Sequence, residues 1–191
     1  MAKEIVDFFR SIHPISDEAL TFLLTHILPV SVKKGKFLRS PIDNTEMIYF
    51  VVKGLVRGFI KVDGQDITTW INAEGNMVGS IQNLGVDVET EEYIQALEDA
   101  TLIAITRESL DEMYATFPEA NIIGRKILER YYREADERSF LSRLPSAEKR
   151  YKRFAETRGT ILSRVTLKYL ASYLSMKVET LSRIRSKIAG K

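Results

Sequence analysis

The sequence predicts an α+β protein: a small β-roll with flanking helices, a long helix, and a C-terminal helix-turn-helix domain. Short β-rich runs punctuated by glycine fill the middle of the 191-residue chain, and helical periodicity precedes and follows them. Charge is also segregated. Residues 145–191 carry 12 Lys or Arg against three Glu, leaving 16 basic and 23 acidic residues in 1–144. An acidic body of net charge −7 therefore precedes a basic tail of +9, which indicates parts with different partners.

The chain begins with two predicted helices that should cover one end of the roll. Apolar residues recur at helical spacing in both, and His13-Pro14 separates the two stretches. Ser16 is the predicted N-cap of the second helix. The apolar positions are Ile5, Phe8, Phe9 and Ile12, then Leu20, Leu23, Leu24 and Ile27.

Four β-rich runs follow, at 47–52, 55–62, 66–72 and 100–106. Asp63-Gly64 lies between two of them and favours a type I′ hairpin turn, in which both central residues take a positive φ. Many short strands with frequent turn residues are typical of a small barrel or roll. Trp70 lies in one of these strands and is expected to belong to the core.

Residues 118–144 are predicted to form a long helix with one apolar seam. Ile123, Ile127, Tyr131 and Ala135 recur at four-residue steps, with Gly124 and Leu128 beside them. A seam of this kind favours a partner helix and therefore a homodimer. The alternative is a core helix that packs on its own roll.

The basic tail contains two predicted short helices around a tight turn. Leu167, Leu170, Ala171 and Leu174 share one face of the first, at spacings of three and four residues. In the second, Leu181, Ile184 and Ile188 form a narrow arc centred on Ile188. The opposite face then carries Glu179, Ser182, Arg183 and Ser186.

That polar face has the chemistry of a major-groove reader. An arginine can bind guanine with two hydrogen bonds, a carboxylate can accept from cytosine, and hydroxyls suit either base. Arg183 is the first choice for reading a base, and Lys177 is placed for phosphate contact. The predicted DNA-binding residues are Lys177, Val178, Glu179, Thr180, Ser182, Arg183, Ser186 and Lys187. The alternative is a basic surface helix pair packed on the body.

The run YLASYLSMKVETLSRIRSK resembles the recognition motif of the cyclic AMP receptor protein and fumarate-nitrate regulator (CRP/FNR) superfamily. Upstream, about 30–106 resembles that superfamily's cyclic-nucleotide-binding β-roll, and 107–144 resembles its long dimerisation helix. The resemblance implies a roll sensor at 1–117, a linker and dimerisation helix at 118–144, and a helix-turn-helix domain at 145–191. It implies a homodimeric regulator of transcription on double-stranded DNA, controlled by a small-molecule effector in the roll. RNA polymerase is left open as a further partner.

The effector loop departs from the family's pattern. Cyclic-nucleotide binders resemble one another in a loop whose Glu meets the ribose and whose Arg meets the cyclic phosphate. Aligning Gly79 with the loop glycine puts Ser80 at the Glu position and Thr90 at the Arg position, so both charged anchors are missing. Gly79, Ser80, Thr90 and Glu91 are the candidate effector residues. Four acidic residues crowd the same loop and disfavour a phosphate: Asp87, Glu89, Glu91 and Glu92.

These departures predict that cyclic AMP does not bind in the usual mode and leave another ligand, or none, open. No cofactor is assigned. The absence of Cys excludes the usual thiolate-held iron–sulfur cluster and any disulfide. With only His13 and His26 as imidazoles, a metal enzyme or haem site is disfavoured, and no metal ligand is proposed. No Gly-x-Ser-x-Gly elbow or Walker-type loop is present, so the chain is expected not to be an enzyme.

Two features of the tail carry further expectations. Ser175 stands where such a turn often has Gly, and a positive φ there would cost about 1 kcal/mol. Only four residues follow Lys187, so the backbone contacts that many relatives make through a C-terminal hairpin are expected to be absent or to come from basic residues earlier in the tail. Those residues are Lys149, Arg150, Lys152, Arg153 and Arg164.

The remaining alternative is a roll-type sensor that acts through protein contacts rather than DNA. No apolar run approaches the roughly 20 residues of a membrane span, and the N-terminus does not resemble a signal peptide. The expected location is therefore the cytoplasm, with no membrane partner.

Overall fold

The computed structural model describes residues 2–42, 46–80 and 89–190. It forms two compact units. One comprises Met1–Gly58 with Ile71–Arg130, and the other comprises Phe59–Trp70 with Tyr131–Lys191. The second unit therefore contains the tip of a roll hairpin as well as the C-terminal helices.

The first unit begins with the two predicted helices, α1 (Ala2–Ile12) and α2 (Asp17–His26). Ile5 and Phe9 are buried on the inner face of α1. Ser16 caps α2 as predicted, because its Oγ accepts a hydrogen bond from the backbone N–H of Ala19 at 3.2 Å. The second helix ends one residue earlier than its apolar spacing suggested, since Ile27 already begins the first strand.

Within the described residues the strands are β1 (Ile27–Val32), β2 (Phe37–Arg39), β3 (Met47–Lys53), β4 (Val56–Val62), β5 (Gln65–Asn72), β6 (Met77–Val78), β7 (Tyr93–Ala96) and β8 (Ala100–Thr106). They form two four-stranded sheets, in the orders β1-β8-β3-β6 and β2-β7-β4-β5. All four predicted β-rich runs are strands, with bounds within one residue of those expected. In the first sheet β8 pairs antiparallel with β1 on one side and with β3 on the other.

The β4–β5 hairpin turns at Asp63 and Gly64, whose φ values are +50° and +76°. Both are positive, as the predicted type I′ turn requires. Gly54 precedes β4 with a φ of +107°, and a Cβ there would stand 2.7 Å from the Cβ of Ala100. Strand β8 can approach this turn only because the residue has no side chain.

Two helices follow β8, where the resemblance suggested one long helix over 107–144. Helix α3 (Arg107–Thr116) ends at Phe117, and Pro118 opens α4 (Pro118–Arg143). A proline at the first helical position is favourable but disfavours helical backbone in the preceding residue, which explains the break. Helix α4 itself agrees with the predicted helix over 118–144.

The predicted seam of α4 does not face outward along its whole length. Ile123 is 1% exposed, as in the alternative of a helix packed on its own roll. Gly124 allows close contact with α3, since a Cβ there would lie 2.8 Å from the Tyr114 hydroxyl. The large apolar side chains of α4 that remain exposed are Leu128, Tyr132 and Phe140.

In the second unit, the end of α4 is followed by α5 (Ala147–Arg158), one 3₁₀ turn (Gly159–Ile161), α6 (Leu167–Tyr173) and α7 (Val178–Ala189). Helix α6 matches the predicted 167–174, with Leu174 as its C-cap. Ile188 was expected at the centre of the buried face of α7 but is 38% exposed, because it lies in the last turn of the helix. The core of these helices is Tyr151, Phe154, Leu170, Leu174, Leu181 and Ile184.

Within the described ranges, every helix is too short or too polar to span a lipid bilayer.

Candidate nucleic-acid interface and roll polar cluster

The turn between α6 and α7 is held by backbone hydrogen bonds of the Schellman type. The Met176 N–H donates to the Ala171 carbonyl at 3.0 Å, and the Ser175 N–H donates to the Ser172 carbonyl at 3.1 Å. Ser175 occupies the left-handed position of this motif with a φ of +51°. The positive φ considered from the sequence is thus present, and it costs about 1 kcal/mol relative to glycine.

Arg150 of α5 holds the same turn from the side. Its Nε donates to the Leu174 carbonyl at 2.8 Å and its Nη2 to the Ser175 carbonyl at 3.3 Å. Its Nη1 donates to the Leu144 carbonyl at 2.7 Å, which ties the end of α4 to the turn. Sequence reasoning treated Arg150 as a cation for DNA phosphates, but its guanidinium fixes the angle at which α7 leaves α6.

Helix α7 separates its side chains into two faces. Leu181 is fully buried and Ile184 is 9% exposed, so this face packs into the unit. The opposite face consists of exposed polar side chains, with Thr180 half-buried at its edge. The predicted DNA-binding residues with exposed side chains are Lys177, Val178, Glu179, Ser182, Arg183, Ser186 and Lys187.

The N-terminus of α7 is capped by Lys177, which offers no side-chain acceptor. The N–H groups of Thr180 and Leu181 both reach back to the Lys177 carbonyl at 3.1 Å. The first turn therefore presents backbone N–H groups beside an exposed lysine. Such a helix end favours an anionic partner, since the helix dipole and the N–H groups both attract negative charge.

Lys187 also belongs to an ion-pair network. Its Nζ lies 3.0 Å from one carboxylate oxygen of Glu148, and the Nζ of Lys152 lies 2.8 Å from the other. Hydrogen bonds from Lys152 and Lys187 lower the pKa of Glu148 to about 2. Part of the positive charge counted in the tail is thus neutralised within the tail.

Two more tail arginines pair with acids of α4. Arg153 donates from Nε and Nη2 to the two carboxylate oxygens of Glu137 at 2.6 and 2.9 Å, which lowers the pKa of that carboxyl. Arg158 Nη2 lies 3.1 Å from Glu134 Oε2. These pairs attach α5 to α4, a role that the sequence spacing did not indicate.

Ser172 of α6 contacts the hairpin tip, Phe59–Trp70, which belongs to the same unit. Its Oγ accepts from the Thr68 N–H at 2.9 Å and donates to the Asp66 carbonyl at 3.0 Å. Neither contact was predicted, because the partners are more than 100 residues apart and the side chain bonds only to backbone.

In the first unit, the two residues aligned with the missing family anchors are brought together. The Oγ of Ser80 and the Oγ1 of Thr90 lie 3.0 Å apart, and both residues are buried. The Glu92 N–H also donates to Thr90 Oγ1 at 3.1 Å. Two neutral hydroxyls that hydrogen-bond to each other therefore occupy the positions where the family pattern has a carboxylate and a guanidinium.

The acidic residues of this segment do not all surround that pair. Glu89 and the candidate effector residue Glu91 are exposed, whereas Glu92 is 7% exposed. Gly79 is half-buried beside β3, where a Cβ would meet the Met47 carbonyl at 3.4 Å. Asp87 lies outside the described residues.

His26 stacks on Phe22 with ring centroids 4.0 Å apart, and its Nδ1 lies 2.7 Å from the Phe22 carbonyl. These contacts give the imidazole a local structural role. Over residues 2–42, 46–80 and 89–190, no group of three or more His, Asp or Glu side chains is arranged to hold a metal ion.

Comparison with known proteins agrees with this geometry. The model of the cyclic nucleotide-binding domain family matches residues 29–117. FixK2 from Bradyrhizobium japonicum is similar with a TM-score of 0.75 and 19% identity, over 86% of this chain and 85% of that one. The c-di-GMP-responsive global regulator CLP from Xanthomonas campestris gives 0.72 and 18%, over 92% of each chain. No curated protein matches at the level of sequence.

A third solved structure, from Eubacterium rectale, is described as a transcriptional regulator assigned to the CRP/FNR family. It is similar with a TM-score of 0.70 and 19% identity, over 89% of this chain and 82% of that one. These matches confirm the resemblance inferred from the tail motif and the glycine-punctuated roll. Residues 29–117 therefore match the cyclic nucleotide-binding domain family, and the chain shares its fold with these solved structures.

Proposed function

We propose that this chain is a DNA-binding transcriptional regulator of the CRP/FNR type, in which α6, the turn and α7 form a helix-turn-helix. The observation that carries the proposal is the division of α7 into a buried apolar face and an exposed face bearing Glu179, Ser182, Arg183 and Ser186. A recognition helix needs this arrangement, because one face must pack while the other reaches base edges. Two of the similar structures reported above are described as regulators, so we assign the chain no enzymatic activity.

In this proposal Arg183 reads guanine and Glu179 accepts from cytosine. The exposed Lys177 and the first N–H groups of α7 contact the phosphate backbone. Arg150 contributes indirectly, because its hydrogen bonds to the turn set the direction of α7. Lys187 reaches a phosphate only by exchanging its contact with Glu148.

The functional form is proposed to be a homodimer on a roughly palindromic site. One helix-turn-helix reaches only a half-site, and a two-fold dimer places two of them about 34 Å apart, one turn of DNA. Support comes from the exposed apolar side chains of α4, Leu128, Tyr132 and Phe140, which favour a partner surface. Ile123 is excluded from that surface by its burial.

The roll is proposed to hold an effector other than cyclic AMP bound in the usual mode. The paired hydroxyls of Ser80 and Thr90 offer no charge to a cyclic phosphate, and a hydroxyl does not replace a guanidinium fork. We expect a calorimetric titration with cyclic AMP to show no micromolar binding. A micromolar dissociation constant would contradict this expectation.

The function is tested by fluorescence anisotropy of the purified chain on pooled genomic duplexes, with unlabelled random DNA as competitor and a salt series. Selective binding that weakens steeply with salt is expected, because phosphate contacts release counterions. Arg183→Ala should lose about 1 to 3 kcal/mol of sequence discrimination. Arg10→Ala removes another exposed arginine, from α1, and should bind like the wild type.

The same variants separate the regulator from a sensor that acts through protein contacts. A regulator gives selective binding that Arg183→Ala diminishes and Arg10→Ala preserves. A protein-contact sensor shows negligible binding in the wild type, or weak binding that both variants reduce equally. Either of the latter results would contradict the proposed function.

A further inference from the structure

Strand β2 carries an irregularity that changes the direction of one arginine. Phe37 lies opposite Gln95 of β7, whereas Arg39 lies opposite Ile94, so two residues advance on β2 for one on β7. Neighbouring strand residues point to opposite faces, and paired residues share a face. Arg39 therefore shares the face of Ile94, and not that of Gln95 and Phe37. A bulge of this kind re-aims a side chain.

The face that Arg39 shares is the interior of the roll. Ile94 and Ala96, which alternate with half-buried residues along β7, have no exposed surface. Arg39 itself is 3% exposed. Without the bulge its side chain would point to the same side as Phe37, which is half exposed.

The buried guanidinium of Arg39 is not neutralised within the part of the chain described. Its Nε and Nη2 are buried and have no hydrogen-bond partner. A buried charge without a partner is strongly destabilising, so an arginine in such a place implies that something anionic pairs with it. The other arginine buried in the roll, Arg57, donates from Nε to Gln95 Oε1 at 2.9 Å.

The ion pair of Arg153 with Glu137 shows which kind of group could accept hydrogen bonds from Arg39. Its Nε and Nη2 form one edge of the guanidinium, and that edge holds both oxygens of the Glu137 carboxylate at 2.6 and 2.9 Å. In Arg39 the same two nitrogens are the ones without partners. Two oxygens of a carboxylate or phosphate match this edge with two parallel hydrogen bonds.

We propose that the roll binds a small anionic molecule whose carboxylate or phosphate group pairs with the Nε and Nη2 of Arg39. The positive charge that Thr90 does not supply at the Arg position is then supplied by Arg39 of β2, which lies outside the aligned loop. That this anion is the effector rests on the proposed regulator function, whereas its binding does not depend on DNA.

The test uses the full chain in chloride buffer, titrated with inorganic phosphate or acetate at constant ionic strength. The melting temperature of the wild type should rise with the anion. In Arg39→Met the apparent affinity should fall about tenfold to a hundredfold, the value of hydrogen bonds to a charged group. Arg183→Ala is the matched control: it should lose DNA selectivity and keep the anion response. Binding at the basic tail would instead give an anion response that Arg183→Ala reduces and Arg39→Met keeps.

A second measurement applies whether or not Arg39→Met folds. The Nε–H resonance of Arg39, assigned by its loss in Arg39→Lys, should shift on titration of the wild type with phosphate or acetate. Without added anion, Arg39→Met should be at least as stable as the wild type, because an unpaired buried charge is removed. An unmoved resonance, equal anion responses in wild type and Arg39→Met, or a large destabilisation by Arg39→Met would overturn the proposal. The last result would indicate that the chain itself supplies the anion.

Discussion

The outward face of α7 and the Ser80–Thr90 pair in the roll occupy two places where the family pattern uses charged side chains, and they differ in burial. Arg183 and Glu179 are exposed, so their charges stay in water at little cost. Ser80 and Thr90 are buried and neutral. A buried Glu–Arg pair deprived of its phosphate would bear a desolvation cost that two hydroxyls avoid. Of these two places, the exposed one thus carries charge and the buried one does not. Arg39 differs from both, because its Nε and Nη2 are buried without a hydrogen-bond partner, which points to a ligand.

The largest expected loss of stability comes from a substitution in the buried face of α7. Leu181→Ala removes a fully buried side chain and should destabilise the C-terminal unit by about 2 to 5 kcal/mol, through lost burial and the cavity left behind. Urea unfolding followed by Trp70 fluorescence measures this, since Trp70 belongs to the same unit. Val178→Ala, on the exposed face, should change stability by less than about 0.5 kcal/mol. Equal effects of the two variants would contradict the assignment of faces.

Thr90→Val tests the buried pair of hydroxyls in the roll. The valine keeps the shape of threonine but deprives the Ser80 hydroxyl and the Glu92 N–H of a hydrogen-bond partner, so a cost of about 1 to 3 kcal/mol is expected. Far-UV circular dichroism in a urea series measures it in the roll. The exposed Thr116→Val should be nearly neutral. DNA affinity should be unchanged in both, in contrast to Arg183→Ala, and a loss of DNA binding in folded Thr90→Val would contradict the separation of the two sites.

The sequence predicted those parts of the fold that rest on local rules. The Ser16 cap, the Asp63-Gly64 turn and the positive φ of Ser175 follow from hydrogen bonds or steric limits within a few residues. The break at Phe117 could have been read from Pro118 by the same rules.

Features set by distant pairing were missed. The Arg39 bulge depends on the register between β2 and β7, more than 50 residues apart, which no local pattern encodes. From the sequence, Arg150 and Arg153 were expected to contact DNA phosphates. In the structure Arg150 holds the turn between α6 and α7, and Arg153 pairs with Glu137. Their roles depend on which carbonyl or carboxylate folding brings near, and net charge does not contain that information.

A smaller change in stability is expected at the turn between α6 and α7, which orients the exposed face of α7. Ser175→Gly removes the steric cost of the left-handed conformation, partly offset by the greater freedom of glycine in the unfolded chain, for a net gain of about 0.5 kcal/mol. Ser182→Gly, in the middle of α7, should instead lose about 0.5 kcal/mol through helix propensity. Opposite signs in Trp70-monitored unfolding would support the strain at Ser175. Destabilisation by both variants would show that the turn is not strained.

The smallest change in stability is expected for the ion pairs beside the exposed face of α7. The pKa of Glu148 is lowered from its usual value of 4.5 to about 2 in the folded chain, so its contribution to stability is complete above pH 4.5. That contribution is lost as the pH falls toward 2, when the carboxylate is protonated in both states. The difference in melting temperature between wild type and Glu148→Gln should therefore shrink over this range. It should also shrink in 1 M salt, where the Debye length is about 3 Å, because Lys152 and Lys187 are exposed.

Asp136→Asn is the matched control, since it removes an exposed carboxylate from the same unit. Its melting temperature should stay close to that of the wild type, as is usual for a substitution at an exposed position. On DNA, Glu148→Gln should bind more tightly and with a steeper salt dependence, because Lys187 no longer exchanges one anion for another. Unchanged salt dependence would mean that Lys187 stays away from the phosphates. The charged face of α7 would then end at Ser186, and Glu148 would serve only to hold α5 against α7.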